Sequence, residues 1–171
     1  MVPSITRATV ADADSIAKLA RELGLDVWSP HDYGSETLRD DSIFLRARDP
    51  AGLIIGFIVG RVVPDSVGPG NVAEIYNLGV GETNQRSGLG SELLREFLAV
   101  CLKAQVGMVW LEVREGNGRA RRFYERHGFV LTGTRERFYA EPDEDAVLMR
   151  LDLPELDFFA KESLKSDAKL G

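Results

Sequence analysis

The sequence has 171 residues, of which 44% are hydrophobic and 28% charged, a composition that predicts one globular domain rather than a disordered chain. Its 21 basic and 27 acidic residues give a net charge of −6, which disfavours a broad nucleic-acid-binding surface. The single cysteine, Cys101, excludes an internal disulfide and is expected to be a buried thiol on the apolar face of a helix. We recognise no signal peptide and no membrane-spanning apolar run, and therefore expect a cytoplasmic protein without a nucleic-acid or membrane partner.

The hydrophobic pattern predicts a succession of strands and helices over residues 1–153, with a polar tail over residues 154–171. The first helix is expected to begin after Thr9, an N-cap residue followed three positions later by Asp12, and to end at Gly24. Strands are predicted over residues 4–7, 42–48, 53–63, 72–80, 106–114, 129–136 and 146–153, and further helices within residues 26–40 and over 88–103 and 117–126. This order indicates a single α/β domain with a mixed sheet, parallel at the helical crossovers and antiparallel at the early and late hairpins, and helices on both faces.

A glycine-containing loop precedes the long predicted helix and is the first candidate for a ligand site. Small residues let the backbone approach a ligand, and a helix start presents free N–H groups, so the loop predicts a phosphate or pyrophosphate site to which Arg86 adds a charged donor. A Walker loop and a dinucleotide-binding fingerprint are both disfavoured, because Gly90 is followed by Ser-Glu and position 93 is leucine. The loop residues are Gln85, Arg86, Ser87, Gly88, Leu89, Gly90 and Ser91.

The motifs around this loop resemble those of a known enzyme family. Gln-x-x-Gly-x-Gly follows a strand that ends in Asn-Leu-Gly-Val, and the stretches Trp-Leu-Glu-Val-Arg-Glu-Gly-Asn (110–117) and Phe-Tyr-Glu-Arg-His-Gly-Phe (123–129) come after it. The pattern resembles the GNAT superfamily of N-acyltransferases, and within it the branch of bacterial ribosomal-protein-alanine N-acetyltransferases, over residues 5–153. Gly116 stands where the family usually has serine, and Gly79 where it usually has alanine. The resemblance implies a mostly antiparallel sheet with one splayed parallel strand pair.

Transfer of an acetyl group from acetyl-CoA to an amine requires a base and an acid, and the resemblance implies Glu112 and Tyr124 in these roles. Strand alternation places Glu112 on one face with Trp110 and Arg114. From residue type alone, Glu112 could instead form an ion pair with Arg114 or with an arginine of the following helix. Glu74 on the preceding strand is the alternative base. Tyr124 considered alone would be an ordinary core aromatic residue.

The resemblance also implies how the coenzyme is held. The backbone groups of Leu78, Gly79 and Val80 would pair with the pantetheine arm, and Asn117, which is also a good N-cap residue, would donate an amide hydrogen bond to it. A basic helix, expected to be solvated, could attract the 3′-phosphate of coenzyme A; its arginines are Arg119, Arg121, Arg122 and Arg126.

The acceptor amine is predicted to lie against Trp28, Tyr33 and Tyr139, with a narrow groove between the two tyrosines and a loop over residues 137–144. We expect the acceptor to be the N-terminal amine of a protein, alanine first and belonging to a ribosomal protein, and the alternatives are a polyamine, an antibiotic, another small amine or a lysine. A non-catalytic acetyl-CoA-binding module is the non-enzymatic alternative. His31 and His127 are interpreted as structural or surface residues, and no metal site is expected.

Overall fold

The computed structural model describes residues 3–25, 28–64, 70–140 and 142–154. Within this part, two single-turn 3₁₀ helices, Val10–Asp12 and Glu82–Asn84, accompany the main elements. The helices are α1 (Ala13–Glu22), α2 (Pro30–Thr37), α3 (Leu89–Lys103) and α4 (Gly118–Arg126). The strands are β1 (Ser4–Arg7), β2 (Ser42–Arg48), β3 (Ile54–Pro64), β4 (Asn71–Val80), β5 (Val106–Arg114), β6 (Val130–Ala140) and β7 (Asp143–Asp152).

The chain forms two compact units, the first comprising Met1–Val63 and Glu74–Val100 and the second Pro64–Ala73 and Cys101–Gly171. In the first unit, antiparallel pairing puts Ser4 opposite Arg48 and Ser42 opposite Arg61, so that β2 lies between β1 and β3. Its core consists of small and branched residues of α1, together with the rings of Tyr33, Phe44 and Phe57. These buried apolar side chains supply the main stabilisation of the unit.

Thr9, the predicted capping residue, precedes the 3₁₀ helix Val10–Asp12, and α1 itself begins at Ala13 with the buried Asp12 as its N-cap. The backbone N–H and the hydroxyl of Thr9 both donate to Asp12 Oδ2, over 2.8 and 2.9 Å. Asp12 is 1% exposed and also accepts from Arg46 (2.9 Å) and Arg48 (2.5 Å) of β2. Burial raises the pKa of Asp12, but the hydrogen bonds from Thr9, Arg46 and Arg48 outweigh it, so the pKa lies below its ordinary value.

In the second unit, β7 lies between β5 and β6 and pairs antiparallel with both. Residues of β5 alternate in burial, with Val109, Leu111 and Val113 inside and the residues between them partly exposed. Leu111 faces Met149, and Val113 faces Val147, across the β5–β7 pair. This alternation gives β5 one apolar face and one polar face, and the polar face carries Glu112.

The predicted fold class is confirmed: the strands form a mixed sheet, antiparallel except for one parallel pair, and combine with helices. The buried state predicted for Cys101 is also confirmed, since the residue is 0% exposed and burial raises the pKa of its thiol to about 12. None of the described helices is long and apolar enough to span a membrane. Apart from residue 154, the predicted polar tail lies outside the described residues.

One element differs from its prediction. Residues 137–144 were expected to form a loop, but β6 continues to Ala140 and β7 begins at Asp143, so most of this stretch is a strand hairpin. The pairing shifts register between Arg135 and Tyr139, and Arg137 adopts a positive φ of 50° within this irregularity. Most of β6 is exposed, so its sequence lacks the alternation that marks a half-buried strand. A β-bulge of this kind redirects the side chains around it.

Candidate active site

The predicted phosphate loop makes a tight turn just before α3. Arg86 and Gly88 have positive φ angles of 65° and 91°, so the chain turns twice before α3 begins. The hydroxyl of Ser87 donates to the carbonyl of Asn84 over 2.6 Å, which holds the turn closed. The first helical hydrogen bond runs from Glu92 N–H to the carbonyl of Gly88. The first N–H groups of a helix have no carbonyl acceptor within the helix itself, and here the Leu89 N–H lies 3.4 Å from the Ser87 hydroxyl oxygen.

Two residues predicted to bind the coenzyme also have structural roles at the end of β4. The Gln85 amide donates to the carbonyl of Val80 over 2.9 Å and thereby ties the loop to the strand. At Gly79, an added Cβ would lie 2.8 to 3.0 Å from Leu25, Phe57 and Leu23. These contacts explain why glycine replaces the alanine that is usual in the family.

Glu112, the predicted base, forms an ion pair with a residue that the sequence did not indicate. Arg135 of β6 donates from Nη1 to Glu112 Oε1 over 2.6 Å, and the Glu112 side chain is 13% exposed. The ion-pair partners considered for Glu112 from the sequence were Arg114 and an arginine of α4, and the partner in this pair is neither of them. Glu112 therefore lies beside the guanidinium of Arg135, with most of its own side chain buried.

Arg114 belongs to a second cluster on the same face, centred on Tyr139. Its guanidinium lies 4.0 Å from the centre of the Tyr139 ring and 3.3 Å from Glu144 Oε2. The other oxygen of Glu144 accepts from the backbone N–H of Gly116. An added Cβ at Gly116 would lie 2.8 Å from that oxygen, so a serine here would require the Glu144 carboxylate to shift. These contacts fix the position of Tyr139, one of the predicted acceptor-binding residues.

Tyr124, the predicted acid, lies on α4 and is 7% exposed. Its ring packs edge-on against Phe123 and Phe129, with centroids 5.1 and 5.3 Å away. Burial raises the pKa of Tyr124 well above its ordinary value, so the phenol keeps its proton at neutral pH. A phenol in this state can act as a proton donor.

The helix that carries Tyr124 begins and ends as expected. Asn117 Oδ1 accepts from Ala120 N–H over 3.0 Å, which confirms its role as N-cap. His127 Nδ1 lies 2.8 Å from the carbonyl of Phe123, a structural contact at the other end. Among the α4 arginines, Arg119, Arg122 and Arg126 are exposed and Arg121 is partly exposed. The described residues contain no group of three or more histidine, cysteine or acidic side chains that could hold a metal ion.

Of the two aromatic residues predicted at the acceptor site in the first unit, only one has exposed surface. Trp28 lines a cavity of about 330 Å³ together with Glu36, Arg61 and three residues of or beside α2, Asp32, Ser35 and Arg39. Tyr33 is 0% exposed and packs against Trp28, Phe44 and Phe57. This burial contradicts the predicted contact of Tyr33 with an acceptor, because its ring fills the core.

Glu74, the alternative base, lies on the half-buried face of β4, which also carries Tyr76. Burial raises the pKa of Tyr76, and the neighbouring Glu74 raises it further. Tyr76 also contacts Trp28, with ring centroids 5.7 Å apart, and lies beneath the Arg61 guanidinium at 5.5 Å. Glu74 thus remains a second carboxylate in polar surroundings.

Comparisons with known proteins agree on one family. The model of the acetyltransferase (GNAT) family matches residues 13–129. The N-alpha-acetyltransferase RimI of Mycobacterium tuberculosis is 34% identical over 155 residues, which cover 87% of this chain and 92% of that protein. The ribosomal protein bS18-alanine N-acetyltransferase of Escherichia coli is 35% identical over 104 residues, 60% of this chain and 66% of that protein. The crystal structure of the ribosomal-protein-S18-alanine N-acetyltransferase from Escherichia coli superimposes with a TM-score of 0.77 at 25% identity, covering 88% of this chain and 94% of that one.

Proposed function

This chain belongs to the GNAT acetyltransferase family and is an acetyl-CoA-dependent N-acetyltransferase, and from that premise we propose that its acceptor is the α-amino group of a protein N-terminus. The observation that carries the proposal is the 34% identity to an N-alpha-acetyltransferase over 87% of the chain. The α-amine also suits the chemistry. At pH 7 roughly a tenth of an amine with a pKa near 8 is already unprotonated, whereas for lysine the fraction is about one in a few thousand.

In the proposed site, the loop before α3 binds the pyrophosphate of acetyl-CoA. The positive φ angles of Arg86 and Gly88 turn the backbone sharply before α3, and the N-terminus of α3 contributes its partial positive charge. The guanidinium of Arg86, which is exposed, supplies a charged hydrogen-bond donor to a phosphate oxygen. The backbone of Leu78 to Val80 and the amide of Asn117 are proposed to hold the pantetheine arm.

Two proton transfers accompany the reaction, and we assign one residue to each. The amine nitrogen attacks the thioester carbonyl, forming the amide bond and breaking the carbon–sulfur bond. Glu112 accepts the proton that the amine must lose, directly or through water, and Tyr124 donates a proton to the departing thiolate of coenzyme A. Tyr124 carries the proton that this role requires, because the pKa of its phenol lies above neutral pH.

The proposed acceptor is the N-terminal alanine of a ribosomal protein. Support comes from the Escherichia coli relative, a ribosomal protein bS18-alanine N-acetyltransferase that is 35% identical over 104 residues. Ribosomal proteins are basic, and the net charge of −6 on this chain would attract a basic acceptor. Such an acceptor also implies action in the cytoplasm. Trp28, beside its cavity, and Tyr139, fixed by Arg114, are the side chains proposed to contact the acceptor.

The roles of Glu112 and Tyr124 are tested by two substitutions that change one atom each. Glu112→Gln removes the proton acceptor and Tyr124→Phe the proton donor, and each should lower kcat by about 10²-fold or more. Affinity for acetyl-CoA, measured by calorimetry, should stay within about threefold of the wild-type value, because neither substitution touches the phosphate loop. A Glu112→Gln variant with wild-type kcat would contradict its assignment and direct attention to Glu74, tested by Glu74→Gln.

A further inference from the structure

Arg135 contacts the proposed base, Glu112, but takes part in neither of the two proposed proton transfers. Its Nη1 donates to Glu112 Oε1 over 2.6 Å, and its guanidinium lies 4.3 Å from the centre of the Phe138 ring. The Arg135 side chain is 53% exposed while that of Glu112 is 13% exposed. An ion pair with one partner this exposed contributes little to folding stability, so the contact calls for another explanation.

The strand register explains how Arg135 reaches Glu112 from two strands away. On β7, Ala146 lies opposite both Arg114 of β5 and Arg135 of β6. Residues directly opposite in antiparallel strands point to the same face, so both guanidinium groups rise from one face on either side of a small methyl group. Arg135 can therefore extend across β7 without meeting a large side chain at that position.

The side chains of Arg114 and Arg135 extend in opposite directions along the strands, and each reaches a different carboxylate. Arg114 extends to Glu144, over 3.3 Å, and Arg135 extends to Glu112. The bulge in β6 then brings Phe138 beneath the Arg135 guanidinium. Arg135 is thus held by an aromatic ring on one side and by a single carboxylate oxygen on the other.

We propose that Arg135 is a positioning residue for Glu112: by binding Oε1 it orients the carboxylate so that Oε2 meets the acceptor amine. This inference rests on the proposed role of Glu112 as base. A carboxylate on a flexible side chain samples several rotamers, and a charged hydrogen bond to one oxygen selects among them. Arg135 itself exchanges no proton in the reaction, because a guanidinium keeps its proton in proteins.

The test measures steady-state kinetics with acetyl-CoA and a peptide that begins with alanine, in Arg135→Gln, Arg135→Lys and wild-type protein. Arg135→Gln should lower kcat about tenfold, equivalent to about 1.4 kcal/mol, while the KM of the peptide changes less than about threefold. Arg135→Lys should recover part of this loss, because lysine keeps the charge but lacks the planar fork of the guanidinium.

The control is Arg150→Gln on β7. Arg150 pairs with Asp152 over 2.9 Å and its side chain is 45% exposed, so its loss removes a similar ion pair outside the proposed contact. The kcat of this variant should equal the wild-type value. Urea unfolding of all variants separates kinetic effects from loss of fold, and Arg135→Lys serves if Arg135→Gln does not fold.

A double variant distinguishes positioning from a structural role. If Arg135 acts through Glu112, the kcat of Glu112→Gln should not fall further when Arg135→Gln is added. The proposal would be overturned if Arg135→Gln lowered kcat by the same factor in the Glu112→Gln variant as in the wild-type protein. It would also be overturned if Arg135→Gln raised the peptide KM and left kcat unchanged, because that result would place Arg135 against the acceptor. If instead Glu112 is not the base, a different result follows, because Glu112→Gln alone would then keep the wild-type kcat.

Discussion

Gly88→Val offers a sharp test of the phosphate loop, because another glycine provides a matched control. Gly88 and Gly52 have φ angles of 91° and 87°, and an added Cβ at either position has no other atom within 4 Å. Both substitutions therefore force a side chain into the same left-handed conformation without a clash. The strain costs about 1–2 kcal/mol in each variant. Both Tm values should thus fall by a similar amount, about 2–8 °C.

Only Gly88→Val should weaken the binding of acetyl-CoA. Gly88 directly precedes α3, so its new side chain would occupy the space in which the pyrophosphate approaches the backbone, whereas Gly52 lies in the turn before β3. Loss of one charged hydrogen bond to a phosphate is worth about 1.5–3 kcal/mol. The Kd should therefore rise about 10- to 150-fold in Gly88→Val.

Calorimetric titration with acetyl-CoA, together with thermal unfolding of the same samples, measures both quantities. The expected outcome is a shared loss of stability and a loss of affinity confined to Gly88→Val. Equal affinities in the two variants, both folded, would refute the assignment of the loop to the coenzyme.

Three further predictions concern the stability and reactivity of the fold. Asp12→Asn should lower the free energy of unfolding by about 2 kcal/mol at pH 7. Because the pKa of Asp12 is lowered in the folded state, this difference should persist above about pH 4 and shrink as the pH falls through that pKa. Urea unfolding at several pH values measures it, and a difference that does not change with pH would contradict the prediction. Gly60→Ala should destabilise the fold by about 3 kcal/mol or more, because the new Cβ would lie 2.2 Å from a backbone oxygen of β4. The control is Gly107→Ala, whose Cβ would have open space around it, and its free energy of unfolding should change little in the same assay. Cys101, buried and with a raised pKa of about 12, should resist thiol reagents at pH 8 until the protein unfolds, and rapid labelling of the native protein would contradict its placement.

Much of the fold could be predicted from local signals in the sequence. Asn117 marks a helix start because its side-chain oxygen accepts from the free N–H of Ala120, and the Thr9–Asp12 pair marks another because the Asp12 carboxylate accepts from the Thr9 N–H. The alternation along β5 identified the polar face of Glu112, because burial on one side of a strand leaves a period of two. These signals involve residues only a few positions apart.

The contacts around the candidate site could not be predicted in the same way. The partner of Glu112 is Arg135, which lies 23 positions further along the chain and comes near it only through the register of three strands. The positive φ in the bulge belongs to Arg137 and not to a glycine, which would have been the usual sequence signal for such a conformation. Tyr33 was predicted at the acceptor site because the resemblance places the segment between the first helices there, but Tyr33 lies on α2 with its ring buried in the core.

The central claim is acetylation of a protein N-terminus, and one comparison tests it most directly. Two peptides share a sequence that begins with alanine and contains basic residues and internal lysines; one has a free α-amine and the other is blocked at its N-terminus. Each is incubated with the protein and acetyl-CoA at pH 7, and mass spectrometry locates the acetyl group. We predict modification of the first residue of the free peptide and little modification of the blocked peptide. Equal acetylation of both peptides, on lysine, would contradict the claim.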